Sequence, residues 1–147
     1  MKLRIRCPQI FFMILILSLI VGPISYSQES SQAIENFNTL VVIWSSDDPK
    51  VAFNVCLMYT HAARKNNWFE RVLLVVWGPS AKLLGEHPEL QTKIKAMQQD
   101  GVITQACIVC ANNYIVTDKL KALGLDVKGM GVPLTQYLKS GYKVLTF

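Results

Sequence analysis

The chain has 147 residues, of which 51% are hydrophobic, and it carries 15 basic and 10 acidic side chains. Lys2, Arg4 and Arg6 lie in the first six positions, so residues 28–147 hold 12 basic against 10 acidic side chains, a net charge of +2. That part of the sequence has no basic stripe, which argues against nucleic acid as a partner. Its 120 residues are enough to bury one hydrophobic core of ordinary size.

The first 27 residues have the three parts of a secretory signal peptide: a basic start, an uncharged apolar run over residues 10–21, and small residues at Ser25 and Ser27. The apolar run is shorter than the ~20 residues of a bilayer-spanning helix. We therefore predict cleavage after residue 27, a periplasmic or secreted mature protein, and no stable membrane insertion after cleavage. The alternative is a retained membrane anchor. The polar residues 28–38 are then a flexible lead-in to one domain over residues 39–147.

Apolar strands and amphipathic helices alternate along residues 39–147. The predicted strands are short and rich in β-branched residues, and they cover residues 40–44, 71–77, 102–107, a short segment from Val127, and 142–147. Helices are predicted between them, over residues 49–67, 80–84, 88–100, 117–123 and 134–140. Strands that are apolar on both faces indicate a parallel sheet with helices on both sides. The predicted fold class is α/β, a three-layer α/β/α sandwich with a mainly parallel sheet of about five strands.

The first predicted helix carries an apolar stripe made by Val51, Val55, Met58 and Ala62 at helical spacing, and this stripe is expected to face the sheet. Cys56 lies between two apolar residues of the same helix. It is interpreted as a small buried hydrophobe.

Parallel α/β sheets bind ligands beyond the carboxyl ends of their strands, and three loops of this chain are expected to meet there. Trp44 and Trp77 each end a predicted strand, and they either wall a pocket at this edge or pack in the core. The Gly-Pro-Ser turn over residues 78–80 either presents backbone amides to an anion or is a plain turn. The candidate pocket-lining residues are Trp44, Ser45, Gly78, Pro79, Ser80 and Asn112.

Cys107 and Cys110 lie three residues apart at the end of the third predicted strand. Structural zinc needs four Cys or His ligands, and Cys56, His61 and His87 lie singly on other segments, so no metal site and no cofactor are predicted. A Cys-x-x-Cys pair near a helix start also suits a reversible disulfide, and burial of both thiols as small hydrophobes is a further interpretation. A thiol that faces helix N-terminal amides is favoured as a thiolate, which makes Cys107 a candidate nucleophile.

Four stretches resemble the DsrE/DsrF-like family of small α/β sulfur-handling proteins: LVVIWSSDDP, VVWGPSAKLL, QDGVITQACIVCANNYIV and GVPLTQYLKSGYKVLTF. The resemblance spans most of residues 39–147. It implies that Cys107 carries sulfane sulfur as a persulfide, as in a sulfurtransferase-like carrier. It also implies a homo-oligomer, a trimer or a hexamer, whose partners are sulfur donor and acceptor proteins or small thiols. Cys110 is additional to the family's single-cysteine pattern, and it is either a resolving thiol that releases sulfide or a buried side chain.

Overall fold

The structure, a computed structural model, describes residues 38–147, so the predicted signal peptide and nearly all of the lead-in lie outside the described residues. Its centre is a sheet of five parallel strands in the order β4-β3-β2-β1-β5. The strands are β1 (Thr39–Trp44), β2 (Arg71–Val76), β3 (Ile103–Cys107), β4 (Asp126–Lys128) and β5 (Lys143–Thr146). The predicted parallel sheet of about five strands is confirmed.

Six helical segments connect these strands within residues 38–147, and local sequence signals mark several of their ends. They are α1 (residues 49–65), α2 (Ser80–Glu86), α3 (Pro88–Gln99), α4 (Ile108–Asn113), α5 (Thr117–Ala122) and α6 (Gly131–Lys139). The Asp48 carboxylate accepts the N–H of Lys50 at 2.7 Å and caps α1. The helix α3 begins at Pro88, and Gly101 follows its end with φ of +89°, a conformation that favours glycine.

The order of the strands determines which face of the sheet each helix covers. Every connection from β1 to β4 moves to the adjacent strand in the same direction, and right-handed crossovers therefore place α1 to α5 on one face. The last connection runs back from β4 at one edge to β5 at the other, so α6 crosses the opposite face. On that face the Tyr137 hydroxyl of α6 donates a hydrogen bond of 3.0 Å to Gln105 Oε1 of β3. The three-layer sandwich is thus confirmed, with very unequal outer layers.

Alternate residues of each strand enter two separate apolar layers. The larger layer, under α1 to α5, includes the strand residues Leu40, Val42, Trp44, Val72, Leu74 and Val76 and the helix residues Leu84, Leu90, Ile94 and Met97. The smaller layer, under α6, consists of Val41, Leu73, Val75, Cys107 and Met130, with the half-buried Trp77, Tyr137 and Tyr142 at its border. Cys107 therefore lies on the face of the sheet that a single helix covers.

The predicted apolar stripe of α1 is wrong, because the helix changes its hydrogen-bond pattern. Its middle segment Ala52–Cys56 is π-helical, between α-helical turns on either side. A π-helical turn holds more residues than an α-helical turn, so the side chains that follow are rotated about the helix axis. Val55 and Met58 are consequently 42% and 56% exposed, while Cys56 and Leu57 face the sheet and are fully buried.

Gly85 of α2 is a site where the packing against α5 excludes any side chain. A Cβ atom at this position would lie 2.6 Å from Cγ1 and 2.8 Å from Cβ of Val116, a buried β-branched residue with little rotamer freedom. We expect Gly85→Ala to lower the free energy of unfolding by about 1–3 kcal/mol, as overpacked core substitutions do. Gly129→Ala is the matched control, since a Cβ there meets no heavy atom within 4 Å. Equal denaturant midpoints for the two variants would contradict this packing.

Candidate functional site

Cys107 connects β3 to α4 at the carboxyl edge of the sheet. It is the last residue of the strand and the N-cap residue of the helix, with extended backbone angles of φ −74° and ψ 117°. Its side chain belongs to the smaller apolar layer with Val75 and Met130, and 5% of the residue is exposed. The strand ITQAC thus places a thiol at the point where α4 begins.

Cys110 lies in the first turn of α4 and contacts the loop after β2. The backbone N–H of Gly78 donates to Cys110 Sγ at 3.1 Å, which joins two of the three predicted edge loops. Gly78 has φ of +68°, a left-handed conformation that residues with a side chain rarely adopt. The half-buried Cys110 side chain packs against both apolar layers, so it lies at the edge of the sheet, where the two layers meet.

The surroundings of Cys107 favour its thiolate. Burial raises the pKa of this thiol, whereas the nearby backbone and thiol of Cys110 and the backbone groups of Val109 and Met130 lower it. The net effect is a pKa below the ordinary value of 9.0. Hydrogen bonds to the charged form of an acid lower its pKa by stabilising the conjugate base. A lowered pKa raises the fraction of a cysteine that is present as thiolate, so Cys107 stays the candidate nucleophile at this edge of the sheet.

Cys110 has the opposite tendency. Burial raises its pKa above the ordinary value, the N–H of Gly78 partly offsets this, and the neighbouring Cys107 thiolate raises it again by hydrogen bonding and by charge. The pKa of Cys110 is therefore higher than its ordinary value, opposite to that of Cys107. Both cysteines are free thiols. A thiolate nucleophile beside a neutral thiol can bind an electrophilic sulfur at one position and exchange it at the other.

Two of the aromatic and turn residues near the edge lie beside the cysteine pair, and a third lines a separate cleft. Gly78 contacts Cys110 directly, and Trp77 packs against the layer that contains Cys107. Pro79 lines a cleft of about 360 Å³ on the other side of the Gly78 turn, with Asp47, Lys82, Leu83, Glu86 and Tyr114. The topological prediction that the three loops meet at one edge is therefore confirmed.

Three other predicted pocket residues have structural contacts instead. Trp44 is fully buried in the larger layer, on the face of the sheet opposite to Cys107. The buried Ser80 hydroxyl donates to the carbonyl of Trp44 at 2.5 Å and accepts the N–H of Trp77 at 3.1 Å, so it ties the ends of β1 and β2 together. Ser45 donates its hydroxyl to the carbonyl of Phe147 at 2.9 Å. The hydroxyls of Ser80 and Ser45 thus bind the backbone, and Trp44 packs in the core on the other face of the sheet.

Asn112 also lies away from the cysteine pair. Its Oδ1 accepts a hydrogen bond of 2.6 Å from the Thr117 hydroxyl, and the residue is exposed beside a separate cavity that Ile115, Asp118 and Lys119 share with it. Asn112 is therefore a contact between α4 and α5. The cavity that Asn112 lines is one in which neither cysteine takes part.

The structure adds residues to the site that sequence reasoning did not find. Met130 follows β4 and covers Cys107, and its backbone amide is one of the groups that stabilise the thiolate. Lys128 of β4 is the register partner of Cys107 on the neighbouring strand. The hydrogen bond from Tyr137 to Gln105 closes the same face. Only the register between β3 and β4 brings these residues together, and it cannot be read from the spacing of residues along the chain.

Neither histidine takes part in the cysteine site. His61 Nε2 lies 2.6 Å from Asp100 Oδ2, and its Nδ1 lies 2.8 Å from Lys93 Nζ, near the start of β3 rather than its end. His87 makes an edge-to-face ring contact with Phe53. Within residues 38–147 there is no cluster of three or more metal-ligating side chains, and no helix is long and apolar enough to cross a membrane.

The fold and the site define a class: parallel five-stranded α/β proteins with a free cysteine pair at the carboxyl end of the third strand. The chain is similar to the solved structure of the conserved protein of unknown function BT1422 from Bacteroides thetaiotaomicron. The two are 34% identical, the match covers 75% of this chain and 95% of that chain, and the TM-score is 0.73. The chain belongs to the same family as that protein. No protein-family model matches it, and no curated protein does.

Proposed function

We propose that this protein binds and transfers sulfane sulfur through a persulfide on Cys107. The observation that supports it is the stabilised thiolate: backbone amides and the Cys110 thiol oppose the effect of burial on the pKa of Cys107. The resemblance to the DsrE/DsrF-like family assigns sulfur to the same cysteine. Both arguments concern one side chain, and they are independent of each other.

The proposed chemistry starts with attack by the Cys107 thiolate on the outer sulfur of a donor. A new sulfur–sulfur bond forms, the bond between that outer sulfur and the rest of the donor breaks, and its electron pair leaves with the donor fragment. Cys107 then carries a persulfide anion. The amides of Val109 and Met130 remain available to stabilise that charge. An acceptor thiolate takes the outer sulfur in the same way and returns Cys107 to the thiolate.

Cys110 provides a second outcome for the persulfide. Its thiol attacks the inner sulfur on Cys107, hydrosulfide leaves, and a disulfide joins the two cysteines. The high pKa of Cys110 keeps this reaction slow until a base takes its proton. A small thiol then reduces the disulfide and regenerates the site.

Thiol–disulfide exchange by the same two residues is the second candidate function. The contact between the Cys110 thiol and the Cys107 sulfur at the first turn of α4 favours it. A low pKa at the first cysteine and a high pKa at the second is the arrangement that reversible Cys-x-x-Cys sites use. This function needs no sulfur donor, and it predicts a disulfide in equilibrium with glutathione.

The proposal includes the partners, the oligomeric state and the cellular location that the sequence predicts. Donor and acceptor proteins or small thiols supply and receive the sulfur, and the carrier is an exported homo-oligomer, a trimer or a hexamer. The oligomer rests on the family resemblance, and the export rests on the signal-peptide pattern of residues 1–27.

Intact-mass spectrometry before and after incubation with inorganic polysulfide tests the proposal. We expect a gain of one sulfur atom that a reductant removes. Trypsin leaves Cys107 and Cys110 on one peptide, residues 96–119, so fragment ions between them are needed to locate the sulfur. Cys56 is an internal control, because burial raises its pKa to about 12.

Each result points to a different function. Sulfur on Cys107 supports the carrier. Loss of two hydrogens without a gain of sulfur, mapped to a Cys107–Cys110 bridge, favours thiol–disulfide exchange. If neither cysteine changes mass and both resist alkylation until the protein is unfolded, both chemical functions are wrong. The chain is then a non-catalytic binding module whose cysteines only pack.

A further inference from the structure

The neighbouring strand places a lysine beside the reactive cysteine. In the parallel pair of β3 and β4, Lys128 is the register partner of Cys107, and Asp126 is the partner of Gln105. Paired residues of adjacent strands point to the same face, and the strands lie about 4.8 Å apart. The Lys128 side chain therefore leaves the sheet next to Cys107, and its four-carbon chain is long enough to reach the sulfur.

Lys128 is bound to a carboxylate that it can exchange for another anion. Its Nζ lies 2.5 Å from Asp126 Oδ2, two residues earlier on the same strand and the same face. The two side chains are 41% and 54% exposed, and exposed ion pairs of this kind contribute little to stability. Hydrogen bonding to Asp126 raises the pKa of Lys128, so the lysine is a cation at neutral pH.

The charge of Lys128 is not used to hold the free thiolate. The groups that lower the pKa of Cys107 are backbone amides and the Cys110 thiol, all of them uncharged donors. On the face that α6 covers, the side chain that β4 places next to Cys107 is therefore a lysine whose present partner is a surface carboxylate. An anionic reagent gains from that charge, and a neutral reagent does not.

We propose that Lys128 recognises the negative charge of the sulfur donor, and that the donor is a small anion with a terminal sulfane sulfur, such as inorganic polysulfide or thiosulfate. This rests on the proposed function of Cys107. The thiolate attacks the terminal sulfur, and the electron pair of the broken sulfur–sulfur bond leaves with the remaining anion, a shorter polysulfide or sulfite. Lys128 binds the departing anion. When the anion has left, Asp126 pairs with Lys128 again.

Alkylation of Cys107 by charged and neutral reagents tests the role of Lys128 without requiring any persulfide. Iodoacetate and iodoacetamide react with the same thiolate and differ in charge. Lys128→Gln should slow the reaction with iodoacetate about threefold and leave iodoacetamide unchanged, a size typical of exposed charge interactions. Asp126→Asn should speed the iodoacetate reaction by a similar factor. Both effects should disappear at high salt, where screening removes them.

Lys95→Gln is the matched control, since this exposed lysine lies on α3 at the other face of the sheet. The proposal would be overturned if the ratio of the Cys107 alkylation rates with iodoacetate and with iodoacetamide were equal in wild type, Lys128→Gln and Lys95→Gln. Equal slowing of both reagents in Lys128→Gln would also overturn it, because the lysine would then act on the thiol itself.

Persulfide loading distinguishes the two donor sources. Wild type and Lys128→Gln are incubated separately with inorganic tetrasulfide and with thiosulfate, and the loading rates are compared by mass. The donor whose rate falls in the variant is the one that Lys128 recognises. If the alkylation ratio changes but neither donor loads sulfur, the sulfur function fails while the anion site stands.

Discussion

Replacement of Cys107 by alanine is expected to reduce sulfur loading from polysulfide to background. Cys107 is the thiol for which hydrogen bonding outweighs burial, whereas burial dominates at Cys110 and at Cys56. Since the thiolate is the attacking species, loss of this residue removes the nucleophile. The measurement is intact mass after a fixed incubation, on variants whose thermal unfolding matches the wild type. Cys56→Ala is the control and should load sulfur at the wild-type level.

The pH dependence of the reaction provides an independent check on the same residue. Because the pKa of Cys107 is held below 9.0, its alkylation rate should reach half of its plateau below pH 9.0. Below that midpoint the neutral thiol predominates, and the rate should fall about tenfold per pH unit. In denaturant the amides no longer surround the sulfur, so the midpoint should move up to the ordinary value. A native midpoint at or above the denatured one would contradict the proposed thiolate.

The strands and several helix ends could be predicted because they depend on short-range signals, whereas the sequence predicts a loop in place of α4, and α6 begins at Gly131 rather than at residue 134. The runs LVVIW and VLLVV are apolar at every position, a pattern typical of strands that are buried on both faces. Pro88 and Gly101 mark the two ends of α3 by their own backbone preferences. These features are local, and the structure has them where the sequence places them.

The buried face of α1 could not be predicted in the same way. A periodicity of 3.6 residues per turn predicts that Val55 and Met58 face the sheet. The segment Ala52–Cys56 is π-helical, however, and this changes which residues that follow face the sheet. No residue type in this segment signals the change. Contacts between the helix and the sheet decide it, so it appears only in the tertiary structure.

The candidate site shows the same division between local and long-range information. The position of Cys107 at the end of an apolar strand predicts a thiol at the carboxyl edge. Met130 and Lys128 come about twenty residues later, after two helices, and only the three-residue strand β4 brings them beside it. The sequence also suggested Trp44 for the site, because its position at the end of a strand is apparent. The face of the sheet to which Trp44 points is not apparent, and in the structure it lies in the larger layer.

The Gly78 amide reaches Cys110 because β2 and β3 end at the same level. Val76 of β2 is the register partner of Ala106, one residue before Cys107. The loop after β2 therefore brings the Gly78 amide to Cys110 in the first turn of α4. A shift of one residue in this pairing would turn Cys107 to the larger layer, away from Met130.

Replacement of Cys110 by alanine is expected to slow the alkylation of Cys107 at neutral pH by about tenfold. The Cys110 thiol donates to the Cys107 thiolate, and a hydrogen bond to a charged group contributes on the order of 1.5 kcal/mol or more. The backbone amide of residue 110 remains in the variant, so part of the stabilisation persists. The measurement is the rate of iodoacetamide labelling across a pH series. Cys110→Ser is the matched control, because its hydroxyl keeps a donor at the same position.

The same variants separate sulfur storage from sulfide release. If Cys110 resolves the persulfide, Cys110→Ala and Cys110→Ser should both hold sulfur on Cys107 without releasing sulfide until a small thiol is added, because neither can form the disulfide. The two variants should nevertheless differ in alkylation rate, because serine still donates. If both variants release sulfide at the same rate as the wild type, Cys110 does not resolve the persulfide. Equal alkylation rates in alanine and serine variants would show that the Cys110 side chain does not support the thiolate, and the amides of Val109, Cys110 and Met130 alone would then account for it.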